Sequence, residues 1–206
     1  MRSSVLSLSC LLLVACGGAA STDAGTSSTD TAGGEAPALS GRWISPCTPN
    51  DSGAFTLDFT LDADRWSVDY ATFGDAACSA PFLTVHIAGP YEITGPSSVE
   101  GASEGRFAFD EKTVTAHAEG AVGFLAGLGE ACGGPGTWEL GVARDVGAAG
   151  CPALGQRAIA DCPADYDLVS VTATELRFGA RPADNDMCSE DKRPTTFENG
   201  ATVTKQ

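Results

Sequence analysis

Basic side chains are scarce in this chain: 12 lysines and arginines stand against 27 aspartates and glutamates, a formal net charge of −15 at pH 7. A surface of that sign repels nucleic acid and anionic headgroups, which excludes the function classes that need a basic face. Histidine is scarcer still, with His86 and His117 the only two. No Cys-x-x-Cys pair occurs either, so the sequence offers no zinc set and implies neither metal nor cofactor. Long apolar runs are missing after the first residues, since nothing beyond Ala15 stays apolar for the about 20 residues that a spanning helix requires.

What is present begins with an export signal. Arg2 precedes an apolar stretch over residues 5–15, too short to span as a mature membrane helix. The stretch ends Leu13-Val14-Ala15-Cys16-Gly17, which resembles the bacterial lipobox, where the cysteine is acylated and becomes the new N-terminus. Residues 1–15 are therefore read as a lipoprotein signal peptide, Cys16 as the lipidation site, and acyl chains as the membrane attachment. Glycine rather than aspartate after the cysteine favours the outer membrane. Loss of residues 1–15 removes Arg2 and no acid, so the mature chain is more acidic by one charge. Residues 17–38 are Gly, Ala, Ser and Thr with scattered acids and no apolar period, a flexible tether spanning roughly 25 Å.

Residues 39–206 form one domain's worth of chain. They carry Cys47, Cys78, Cys132, Cys151, Cys162 and Cys188, an even set that reads as disulfides in an exported protein, with connectivity open by count alone. Strand periodicity dominates. Phe55, Leu57, Phe59 and Leu61 alternate over 54–61, and Trp66, Val68 and Tyr70 repeat the pattern after a short Asp62-Ala63-Asp64 turn, which predicts a hairpin. Residues 82–93 read as a longer strand with a bulge or bend at Gly89-Pro90; 106–110, 112–118, 138–142, 167–178 and 195–203 supply further strands. Phe124, Leu125 and Leu128 have helical spacing, so a short helix or plug is expected over 122–128. The fold class is all-β, an antiparallel barrel or sandwich. A barrel of about eight strands either fills with side chains or holds one small ligand.

The first strand narrows this. Gly41-x-Trp43 resembles the Gly-x-Trp of lipocalins. The longer pattern, Gly41-x-Trp43-x-Ser45-x-Cys47, then Cys78-Ser79-Ala80-Pro81, Cys132-Gly133-Gly134-Pro135, Trp138, Asp145-Val146 and Gly150-Cys151, is similar to the animal Wnt inhibitors named for adenomatosis polyposis coli down-regulation. That resemblance spans most of residues 40–178 and implies a lipocalin-like barrel or half-barrel whose apolar concavity takes a lipid or fatty acyl chain. Here the module is single and carries no C-terminal membrane helix, and the Wnt partner does not carry over to a bacterium. The alternating aromatics Phe55, Phe59, Trp66, Tyr70, Phe107 and Phe109 are the residues that would line an open barrel and bind the ligand, and the likeness to lipocalins implies that Trp43 closes the barrel floor under a cation–π contact from Arg177. The order of the cysteines suggests that neighbours pair: Cys47 with Cys78, Cys132 with Cys151, Cys162 with Cys188.

Catalytic signals are weak. Gly101-Ala102-Ser103-Glu104-Gly105 has the letters of a hydrolase elbow, but a polar loop precedes it and a strand follows, so it reads as a hairpin loop and the chain as no enzyme. The histidines are expected on solvent-facing strand positions. Asp184, Asp186, Glu190 and Asp191 read as a solvated acidic loop rather than a calcium site. Two readings remain: an outer-membrane lipoprotein binding an apolar ligand, or a structural or interaction module with a filled barrel. No protein partner can be named.

Overall fold

The computed structural model describes residues 38–206, so the leader, Cys16 and the tether up to position 37 lie outside the described residues. Alternating apolar positions form the predicted hairpin: β3 (Gly53–Leu61) pairs antiparallel with β4 (Arg65–Phe73), in register from Ala54 opposite Phe73 to Leu61 opposite Trp66. β1 (Gly41–Ile44) lies on the other edge of β3, with the short β2 (Thr48–Asn50) beyond it. β5 (Pro81–Pro96) follows β4, and β6 (Ser103–Ala108) and β7 (Glu111–Ala116) both return along β5. β8 (Ala143–Asp145) borders β7, whereas β9 (Ala164–Val171), β10 (Glu175–Phe178) and β11 (Thr202–Lys205) carry the wall from β6 back to β1.

Eight strands close on themselves in the order β1, β3, β4, β5, β6, β9, β10, β11, every pair antiparallel. The wall is a closed barrel, the closed form of the two that the resemblance allowed. Disulfides join Cys47 to Cys78, Cys132 to Cys151 and Cys162 to Cys188, with Cα separations of 6.0, 4.0 and 5.1 Å. These are the neighbour pairs, and each closes a loop worth about 3 kcal/mol in the chain-entropy model.

One strand serves two partners along the same edge. Residues 83–88 of β5 pair with β7, and residues 91–96 pair with β6. The exchange of partner falls at Gly89, where a Cβ would lie 2.1 Å from the Ala108 carbonyl oxygen. Of the bulge or bend expected at Gly89-Pro90, the bulge is not there: the ladder to β4 runs unbroken through both residues, and the register slips on the β6 side, between Ile93 and Gly95. Gly89 is needed for close backbone approach instead.

The helix forms as α1 (Glu119–Gly127), three residues earlier than the spacing predicts. Tyr70, Val85 and Val114 are register partners, so they share a face, and Tyr70 belongs to the barrel interior. Ala121 and Leu125 of α1 pack on that same face with Leu83, Val85, Val114 and Ala116, building a second core beside the barrel cavity. Phe124 points away, 42% exposed. Residues 138–142 do not form the strand that their alternation predicts. Trp138 is buried, but Leu140 and Val142 are each 50% exposed, a single bridge joins Leu140 to Ala116, and Gly141 has φ +72°. The pairing that would make a strand begins only at Ala143. The last predicted strand shrinks likewise, because residues 195–201 run as an irregular segment before β11.

Candidate functional site

The barrel interior divides into a packed end and an open end. Trp43 has no exposed surface and packs with Leu39, Leu61, Leu176 and Val203, while its indole N–H donates to the Leu39 carbonyl at 2.9 Å. Seven further aromatic and aliphatic positions, Phe55, Leu57 and Phe59 of β3, Trp66, Val68 and Tyr70 of β4 and Phe178 of β10, line a cavity of about 580 Å³. That volume lies within the range of about 300–1,000 Å³ usual for small-molecule sites.

All six aromatic residues singled out in the sequence, Phe55, Phe59, Trp66, Tyr70, Phe107 and Phe109, line this cavity. They hold one another in place: Phe59 stacks on Phe178 with centroids 4.6 Å apart, Trp66 meets Phe107 edge-on at 5.3 Å, and Phe55 tilts against Tyr70 at 5.5 Å. The Trp66 indole N–H is spent on the Ala108 carbonyl at 3.0 Å, so the ring presents only carbon to the space.

The floor is arranged differently from the expectation. Arg177 does not cover Trp43; its guanidinium lies over Phe197, 4.9 Å from the ring centre. Alternation decides this, because Leu176 is the inward residue of β10 and its neighbour Arg177 faces out. Lys205, register partner of Trp43 across the closing seam, puts its Nζ 5.1 Å from the Trp43 ring instead. In a variant with Trp43 as sole tryptophan, Lys205→Ala should shift the emission and lower stability by about 0.5–1 kcal/mol in urea titration, whereas Arg177→Ala should leave the emission unchanged.

A polar end faces the aromatic one. Asp165 and Asp167 sit on the inward face of β9 with Val169, and both are buried. Asp165 accepts from Arg181 at 2.7 Å. Asp167 accepts backbone N–H groups of Leu168 at 2.7 Å and Gly179 at 2.9 Å, and burial raises its pKa to about 7, against the opposing charge of Arg181. Lys112 of β7 is 3% exposed. Its Nζ donates to the Arg157 carbonyl at 3.1 Å and stands 3.9 Å over the Phe109 ring. Burial lowers its pKa, Asp165 partly restores it, and Arg181 lowers it further. Residues 154–157 and 199–202 also line the cavity.

These polar lining groups escaped the sequence reading, although a signal for them existed. In 164–171 the acids Asp165 and Asp167 keep the alternate register of Val169 and Val171, and Lys112 keeps that of Val114 and Ala116. Charged residues in phase with an apolar face mark an interior polar site. The other candidates fall elsewhere. His86 pairs with Asp69 at 2.6 Å and His117 meets Thr84 at 2.9 Å, both on the convex side. The acidic loop is not simply solvated, because the Asp186 carboxylate is buried and binds Lys192 and, at 3.2 Å, Arg157. Ser103 opens β6 directly after a turn at Gly101 (φ +71°). No protein-family model matches the chain.

Proposed function

We propose that this chain is an exported bacterial lipoprotein, anchored through Cys16 to the outer membrane, whose lipocalin-like barrel binds a lipid or other apolar ligand. The kinship to the Wnt-inhibitor family belongs to the same proposal. The observation that carries it is the cavity of about 580 Å³ walled by Phe55, Phe59, Trp66, Tyr70, Phe107 and Phe109. A structural module of the same fold gains nothing from leaving a space of this size unfilled between its aromatic side chains, since close packing is worth about 25 cal/mol for each Å² removed from water. An acyl chain drawn into the space gains about 0.8 kcal/mol for each buried CH₂. Three disulfides and an acidic surface suit a soluble domain held outside the cytoplasm.

Native mass spectrometry of the mature chain, with Cys16→Ser replacing the acylated cysteine, tests the reading. One lipid per chain is expected, either co-purified or taken up from added fatty acid. A chain that carries none and takes up none has no such function.

A further inference from the structure

Lys112 is the one buried ammonium of the cavity wall, and no carboxylate is in contact with it. Among the described residues it enters no ion pair within 4.0 Å, although the neighbouring cations do: Arg181 is held by Asp165 and Arg157 by Asp186. Of its three N–H groups, the one assigned hydrogen bond goes to the Arg157 carbonyl. A buried charge with no carboxylate in contact is costly to keep from water, and a well-placed charge-assisted hydrogen bond recovers much of that cost.

We propose that Lys112 anchors the head of the ligand, and that the ligand is a long-chain carboxylic acid whose carboxylate meets Nζ while its chain lies along the aromatic wall. The proposal rests on the apolar-ligand reading above. Geometry gives the direction: Phe109, under the ammonium, begins the aromatic lining that continues through Trp66 and Phe59. Charge gives the class. A single carboxylate can meet the remaining N–H groups of Lys112, whereas a dianionic phosphate would bring a second charge beside Asp165 and Asp167. A neutral lipid would leave the ammonium as it is.

The test compares three probes of equal chain length, palmitic acid, hexadecanol and hexadecyl phosphate, by quenching of tryptophan fluorescence in the mature Cys16→Ser chain and in its Lys112→Met variant. The acid should bind the unsubstituted chain at least about tenfold more tightly than the alcohol, the scale of one charge-assisted hydrogen bond, and more tightly than the phosphate. Lys112→Met should erase the preference for the acid while hexadecanol binds as before, which also shows the variant folded. Equal affinity for acid and alcohol in the unsubstituted chain overturns the proposal without reference to the variant, and leaves the apolar-ligand reading standing. Tighter binding of the phosphate overturns the choice of a monoanion. Binding of none of the three overturns both readings.

Discussion

Trp43→Ala is expected to lower the free energy of unfolding by about 3–5 kcal/mol, as a large aromatic truncated inside a packed core does. The ring has no exposed surface, fills the end of the barrel between Leu39, Leu61, Leu176 and Val203, and carries the hydrogen bond that fixes Leu39. A domain of this size has about 5–15 kcal/mol in all, so the variant should stand near the limit of folding. Trp43→Phe keeps most of the apolar area and forfeits the indole N–H, and should cost about 1–2 kcal/mol. Urea unfolding of the oxidised proteins measures both. A loss below about 1 kcal/mol for the alanine variant would mean that Trp43 does not seal the barrel.

Asp167 should make the protein less stable as the solution turns from acid to neutral. Its pKa is raised by burial from 3.8 to about 7 in the folded chain, so between those values the folded state keeps a proton that the unfolded state has released. The stabilisation is complete below the unfolded value and is lost as the pH rises through the folded one, by up to about 1.4 kcal/mol per pH unit. Asp167→Asn keeps an oxygen for the Leu168 and Gly179 N–H groups and cannot ionise. The variant should match the parent at pH 4 and exceed it by roughly 2–3 kcal/mol at pH 8. Denaturant midpoints across that range decide it: parallel curves for the two proteins would show that Asp167 titrates as an ordinary carboxylate.

How far the sequence carries is visible in particular residues. The β3–β4 hairpin is legible because Phe55 to Leu61 and Trp66 to Tyr70 alternate strictly and only a short turn separates them. The aromatic wall is legible for the same reason, since every inward aromatic of a barrel must face the common space. Partner choice across long separations is not written in alternation. The seam sets Trp43 opposite Lys205, and nothing local in either segment names the other, so a nearby arginine in β10 looked as suitable as a lysine in β11. Residues 138–142 failed oppositely: the period is there, but no strand edge is available to receive it beyond the bridge at Ala116. The polar end of the cavity is not legible because aspartate and lysine on a strand ordinarily mean solvent, whereas closure of the wall turns Asp165 and Asp167 inward and the pairing of β7 with β5 turns Lys112 to the same space.

The seam between β1 and β11 also sets the order in which the molecule can assemble. Its two strands lie about 160 residues apart and share two residue pairs, against nine between β4 and β5. As the chain is delivered from its N-terminal side, β3, β4 and β5 can pair and Cys47 can meet Cys78 while the rest is still to come. The circle cannot be completed before Thr202–Lys205 arrives. Until then the stacked faces of Phe59 and Trp66 stand open to whatever is nearby, so the interval between early hairpin and late closure is when the chain is most exposed to aggregation and most in need of a chaperone.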